Sequence, residues 1–447
     1  MNRVEEKSGP VLGPEFFAKR RETLFEAIGE GSIAVVAAAP PSGNYARFRQ
    51  DRAFYYLTGF PEPSAVAVFR RVESSREYVL FVPPRDPDRE RWDGLRAGTE
   101  GAQERYGADR AFSLEELDHE LPRLFEGTSR AYLLPDFESE SGRRLYRAYR
   151  QAAVSNRRVG HGAYELRDLG YLLALMRVRK QPEEIAMIRH AATITREAYL
   201  EAIAAIRPGA YEYQIEAILN AGFRKRGGDG PAYTTIVGGG ENATILHYVE
   251  NSQPLRDGEL LLIDAAASYG CYAADVTRTY PINGRFTEPQ RRVYETVLSV
   301  QKTVLAAVRP GVSIRELHRI AAVEFIQAMQ RFGWLSPDEP PEKLFEQEAH
   351  KKCFMHGIGH YLGLDVHDVG PTEVDGKPYP LEPGMVLTIE PGWYISSGTE
   401  GVPEAFWGIG VRIEDDVLVT ETGGEVLTPG IPKEIEEIEA LMGNRSV

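Results

Sequence analysis

The chain is poor in cysteine, in long apolar runs and in clustered positive charge, and each shortage removes a class of protein. Only Cys271 and Cys353 occur in 447 residues, far apart and outside any Cys-x-x-Cys pattern. That excludes a disulfide framework and a thiolate zinc site, and two buried, reduced thiols are expected. No apolar stretch approaches the roughly 18 residues of a membrane span, so no membrane partner is expected. The opening Met-Asn-Arg-Val-Glu-Glu-Lys mixes both charge signs and leads into no apolar core of a secretory signal's kind. A cytoplasmic location is therefore expected. Lys and Arg number 52 against 66 Asp and Glu, a formal charge of −14; without a basic run there is no footprint for nucleic acid.

What is present suits two or three domains. Up to about Arg177, short apolar strands (Ile33 to Ala38, Ala65 to Phe69, Tyr78 to Val82, Ala131 to Leu134) alternate with helical stretches at Phe16 to Ile28 and Leu114 to Phe125. This pattern reads as an α/β domain over residues 1–177. At Lys180-Gln181-Pro182-Glu183-Glu184 a helix starts cleanly, with Pro in its first turn and acids at the positive end of its dipole. A second domain, 178–447, follows. Its expected elements are a helix to about Ile206, one ending at Gly227-Gly228, one capped by Thr287 to Gln290, and one from Ile314 to about Phe332, with Ser313 and Glu316 as a capping box. From about Phe354 to Leu427 the pattern is mostly β, and an acidic helix from Pro432 to Met442 closes the chain.

Two segments of the second domain are built alike. Gly258 precedes Asp264 by six residues across Glu-Leu-Leu-Leu-Ile, and Gly384 precedes Glu390 by six across Met-Val-Leu-Thr-Ile. Upstream of each lies an echo, Arg207-Pro208-Gly209 and Arg309-Pro310-Gly311. The region reads as two related halves, each ending an apolar strand on a carboxylate. Asp275 lies eleven positions beyond Asp264; a hairpin turning on Tyr269-Gly270 would set the two directly opposite, Cβ atoms roughly 5 Å apart. A register shifted by a residue or two would instead leave one Asp in a loop. Two buried carboxylates so close require positive charge between them.

The densest histidine cluster, His356, His360 and His367, lies between these segments. Gly357 and Gly359 argue against a helix there and for a loop that approaches a ligand closely. Single histidines are more often hydrogen-bonded core or surface residues, and His119, His161, His190, His318 and His350 are read so. In Gly408-Ile409-Gly410-Val411-Arg412-Ile413-Glu414-Asp415-Asp416, alternation puts Arg412 and Glu414 on one face, while Asp415 and Asp416 read as a surface acidic turn. Gly238-Gly239-Gly240 lacks the Lys-Ser/Thr of a phosphate loop and is expected to let a loop lie near substrate. Four carboxylates with one imidazole would balance two divalent cations, and this oxygen-rich set suits Mn, Mg, Co or Fe(II).

Asp264, Asp275, His360, Glu390 and Glu414, in this order and context, resemble the five ligands of the pita-bread metallopeptidases. The segments His356 to Gly370, Thr388 to Tyr394 and Gly410 to Asp416 are most similar to aminopeptidase P (Xaa-Pro aminopeptidase), as is Phe48-Arg49-Gln50-Asp51 leading into Tyr56-Leu57-Thr58-Gly59-Phe60. The resemblance implies an α/β amino-terminal domain followed by an α+β pita-bread (creatinase/aminopeptidase-like) catalytic domain. It implies release of the N-terminal residue from peptides with proline second, by attack of a hydroxide bridging two metal ions, Mn2+ foremost with Co2+ or Zn2+ as alternatives. By the same resemblance Asp275 and Glu414 bridge the metals, Asp264 holds one, and His360 and Glu390 hold the other. Glu390 shuttles a proton; His247 and His356 contact substrate and the developing oxyanion; His367 and Arg412 shape the proline pocket. Tyr394 and Trp92 are matched to substrate contacts, Trp92 through a neighbouring subunit of a homodimer or homotetramer. Xaa-Pro dipeptidase (prolidase) activity shares every ligand and is the alternative; metal-free relatives are disfavoured because all five positions are filled.

Overall fold

A computed structural model describes residues 9–43, 47–156 and 165–443. The chain divides into two compact units, one of residues Leu12–Met176 and one that begins at Arg177 and also takes in the described residues before Leu12. The expected position of His161 lies outside the described residues.

The first unit is a six-stranded sheet in the order Arg110–Ser113, Ser75–Val82, Val66–Val72, Ser32–Ala37, Arg130–Leu133, Glu165–Asp168. Only Val66–Val72 runs antiparallel to its neighbours. Alternate residues Ile33, Val35, Val66, Val68, Val79 and Phe81 form one buried face, covered by Leu117, Leu121 and Leu124 of the Leu117–Leu124 helix and by Leu145 and Ala148 of Glu140–Asn156. At about 1.5–3 kcal/mol for each fully buried aliphatic or Phe side chain, this face dominates the unit's stability.

The second unit repeats itself, as the paired glycines suggest. Gly209 and Gly311 both have positive φ (84° and 87°), as do Gly258 and Gly384 (80° and 89°), a conformation open to glycine at little cost. The hydrogen bonds repeat as well: Gly209 donates to the Leu255 carbonyl and Gly311 to the Leu381 carbonyl, each at 2.9 Å. Leu255 and Leu381 each stand nine residues before their carboxylate, Asp264 and Glu390. In one half, Leu260–Asp264 pairs with Ile236–Gly239 and Thr277–Pro281; in the other, Val386–Ile389 pairs with Asp415–Val419, all antiparallel. Helices Pro182–Ala205 and Glu212–Lys225 belong to the first half, Glu288–Ala307 and Ile314–Arg331 to the second.

Several expectations need correction. The hairpin turns on Gly270-Cys271, pairing Ser268 with Ala273 and Tyr269 with Tyr272, and Asp264 with Thr277 instead of Asp275. Gly270 and Cys271 both have positive φ (54° and 72°), which a two-residue turn matching the strand twist requires; the other turn would have forced an aromatic residue into that region. Because the slip is two residues, Asp275 keeps its face and becomes the diagonal neighbour of Asp264. Cys271 is half-buried, whereas Cys353 is buried. Ser313 caps its helix by accepting from the Glu316 N–H, but the Glu316 carboxylate turns to Arg319, so only half a capping box forms. The last helix starts later, at Ile435. No helix among the described residues is long and apolar enough to cross a membrane.

Candidate metal centre

Where the two halves meet, a cavity of about 680 Å³ is lined by Asp264, Asp275, His360, Glu390 and Glu414, with His247, His356, His367 and Arg412. The halves are joined there by one backbone and one side-chain hydrogen bond: the Glu414 N–H donates to the Thr277 carbonyl at 3.0 Å, and the Arg412 N–H to Thr279 Oγ1 at 3.3 Å. Asp264 ends its strand, Asp275 lies in the return of the hairpin, and Glu390 follows Val386–Ile389 by one residue. Glu414 stands in the short break between Ile409–Arg412 and Asp415–Val419.

His360 arrives on a loop, as its flanking glycines require. A Cβ at Gly359 would lie 2.0 Å from the Thr388 carbonyl oxygen, so only glycine lets the loop press against the Val386–Ile389 strand. Thr388 then ties the loop to that strand: its N–H donates to the His360 carbonyl (2.9 Å), its Oγ1 accepts from the His360 N–H (3.1 Å) and its hydroxyl donates to Glu390 Oε1 (3.2 Å). The His360 ring sits 3.5 Å from both Asp275 Oδ2 and Glu390 Oε1. Asp275, His360 and Glu414 offer ligand atoms that all lie within 4.8 Å of one another. Asp264 stands beside this trio, held at Oδ2 by Arg412 Nη2 and at Oδ1 by the Tyr233 hydroxyl, each at 2.6 Å. Thr277 donates to Glu414 Oε2 at 2.7 Å and accepts from Arg412 Nε at 3.0 Å.

Four carboxylates meet one guanidinium here, and their protonation records the imbalance. Burial, then the charges of Asp275, Glu390 and Asp264, push Glu414 well above the usual carboxylate range. Burial, with the charge of Asp275 added, raises Asp264 against the pull of Arg412. Burial lifts Glu390 to about 7. Burial opposes a charge on His360, yet Asp275 and Glu390 hold it up at about 9. The site lacks positive charge, and an oxygen-rich donor set with one imidazole fits hard or borderline divalent cations.

A second chain of contacts fixes a tautomer. The Gly357 carbonyl can only accept, so the neutral His356 ring carries its proton on Nδ1 and its Nε2 accepts from the Tyr394 hydroxyl (2.9 Å), which itself accepts from Arg412 Nη1 (2.8 Å). Nδ1–H of His356 then donates to the Gly357 carbonyl at 2.7 Å. Burial, with Arg412 adding to it, drives His356 down to about 3 and keeps it neutral. The His367 ring lies 4.1 Å from the His360 ring at a tilt of 54°, and its pKa is lowered by burial and by that neighbour. His247 lines the same cavity from an exposed position. Trp92 lies in the first unit on the Pro87–Asp93 helix, which buries no residue, and is 89% exposed.

Asp415 and Asp416 form no surface turn; both are wholly buried. Asp415 accepts from Arg278 and Lys433, while Asp416 Oδ2 receives the Asp275 N–H at 3.1 Å. They continue a strand whose two faces are both covered, which alternation alone does not reveal. Gly238 and Gly239 sit in a strand and do not line the cavity; a Cβ at Gly238 would meet the Asn242 carbonyl oxygen at 2.9 Å. Tyr233, Thr277 and Thr388 were not singled out from the sequence. Thr277 and Thr388 carry only their position two residues from a cavity carboxylate as a signal, and Tyr233 carries none.

Residues 186–421 match the sequence pattern of Metallopeptidase family M24, and residues 17–133 that of the Aminopeptidase P, N-terminal domain. Xaa-Pro aminopeptidase of Escherichia coli (strain K12) is 42% identical over 431 residues, covering 95% of this chain and 97% of that protein. Xaa-Pro aminopeptidase 3 of Homo sapiens is 38% identical, with 89% of this chain and 78% of that protein covered. Among solved structures, Pseudomonas aeruginosa aminopeptidase PepP superposes with a TM-score of 0.92 at 43% identity, over 97% of this chain and 98% of that one. E. coli aminopeptidase P with the inhibitor Pro-Leu gives 0.90 at 41% identity, over the same shares.

Proposed function

The chain belongs to metallopeptidase family M24, and on that premise we propose that it is a metal-dependent Xaa-Pro aminopeptidase, releasing the N-terminal residue from peptides with proline second. The observation that carries this reading is the convergence of Asp264, Asp275, Glu390, Glu414 and His360 on one cavity with a surplus of negative charge. Asp275 and Glu414 would be shared by two divalent ions, with Asp264 on one and His360 and Glu390 on the other. Mn2+ is our choice, and when bound such ions lower the pKa of water and polarise a carbonyl.

The protein's own groups account for the rest. Tyr233 and Arg412 orient Asp264, Thr277 orients Glu414, and Thr388 orients Glu390. An Xaa-Pro bond is a tertiary amide without an N–H, so its cleavage needs a proton delivered to the ring nitrogen. Glu390, a carboxylate on the cavity wall whose Oε1 accepts from Thr388, is the group to hold and pass that proton. His356 Nδ1 lies 3.7 Å from Glu390 Oε2, and His247 lines the cavity from an exposed position; both serve substrate contact, and His247, whose ring has no hydrogen bond among the described residues, serves the charge developing on the carbonyl oxygen. His367, Arg412 and Tyr394 shape the proline pocket, and Trp92 serves a neighbouring copy in a homodimer or homotetramer. The location is cytoplasmic in this reading.

The test is turnover of Xaa-Pro-Xaa, Xaa-Pro and Met-Ala-Ser peptides side by side with Mn2+, Co2+ or Zn2+. Cleavage of the first is expected; activity confined to the dipeptide would make the enzyme a prolidase.

A further inference from the structure

We infer that Glu212 is a positioning residue for His247, an assignment that rests on the substrate-contacting role proposed above for that histidine. Glu212 opens the Glu212–Lys225 helix and is wholly buried. No cation pairs with it among the described residues. Four donors surround its carboxylate instead: at Oε1 the Gly239 N–H (2.8 Å) and Asn242 Nδ2 (3.0 Å), at Oε2 the Tyr248 hydroxyl (2.8 Å) and the Gln253 N–H (2.8 Å).

These donors bracket His247, two before it in sequence and two after. The segment between them supplies Leu246, His247 and Val249 to the cavity. No hydrogen bond to the His247 ring is found among the described residues, so it is the placement of this segment that brings the imidazole to the cavity. On its other side the segment is pinned by the strand that carries Arg412: a Cβ at Gly410 would lie 2.1 Å from the Ala243 carbonyl oxygen. The loop is thus gripped between a buried carboxylate and the Ile409–Arg412 strand. A Gln at 212 has the same shape but offers an NH2 where two donors converge, leaving buried donors unpaired.

The experiment is a double-mutant cycle on the Mn2+-loaded enzyme with an Xaa-Pro-Xaa peptide, using Glu212→Gln, His247→Ala and the pair, with metal content and thermal midpoint recorded for each. Glu212→Gln is expected to lower kcat/KM about tenfold, mostly in kcat, with metal content unchanged. On the His247→Ala background the same change should cost less than about twofold, since the group it positions is gone. A full tenfold loss on that background, or wild-type turnover by Glu212→Gln, overturns the inference. Wild-type kcat/KM in His247→Ala would remove the reading of His247 and this inference with it, whereas a His247→Ala defect with a multiplicative cycle removes the inference alone. Should Glu212→Gln fail to fold, Tyr248→Phe deletes one of the four bonds. It is expected to cost about threefold in the wild type and nothing measurable without His247; equal losses on both backgrounds would refute the assignment.

Discussion

Glu414 and Asp415 are neighbours in sequence and equally buried, at 2% and 0% exposure, yet their surroundings differ. Asp415 faces Arg278, Lys433, Gln301 and Thr428, all donors; although burial opposes its charge, Arg278 and Lys433 hold it below the usual carboxylate range. Glu414 faces Asp275, Glu390 and Asp264, and is driven far upward. Charge that is balanced within the chain serves to lock strands and the carboxyl-terminal segment together. Charge left unbalanced marks a place for cations from outside. Burial alone does not separate the two; the count of donors around each carboxylate does.

Removing one carboxylate from each cluster should therefore have opposite consequences. Asp275→Asn is expected to lower kcat by at least about 10²-fold, while the metal-free variant loses little stability, because the lost pairing with His360 is offset by relief of repulsion with Glu414, Glu390 and Asp264. Retained turnover would count against the shared-ligand role. Asp415→Asn should leave a buried guanidinium and ammonium short of a partner and cost about 3–5 kcal/mol of stability, read from denaturant midpoints at unchanged slope. A loss under about 1 kcal/mol would erase the contrast between the clusters.

The smallest expected effect is in pH. In the metal-free protein the folded pKa of Glu390, about 7, lies above its unfolded value of 4.5. The folded state then binds the proton more tightly, so this group contributes stability that is complete below about 4.5 and lost as pH rises through about 7. The stability gap between metal-free wild type and Glu390→Gln should shift toward the wild type as pH falls from 8 to 6, by about 1 kcal/mol per unit at most. For Asp415 the sign reverses: its depressed folded pKa gives stability present above the ordinary carboxylate value and lost as pH falls through the folded one. A flat Glu390 difference would show that its charge is balanced by some group within the protein.

Much of this was legible in the residues themselves. The repeat shows in the spacing Gly258 to Asp264 and Gly384 to Glu390 because a positive-φ turn and a strand of fixed rise set how far a carboxylate lies from its glycine. The loop character of His356 to His360 follows from Gly357 and Gly359. The partner of Asp264 was not legible, since it depends on which two residues turn the hairpin, and Cys271 at φ 72° is a choice that composition does not favour.

Local chemistry thus determined the kinds of element, the internal duplication and the five side chains that could share a cation site. Only tertiary structure decided which buried acid meets Arg278 and which meets three other acids, because strand register, two-sided burial and the approach of Gly359 to Thr388 are properties of segments distant along the chain brought within a few ångströms.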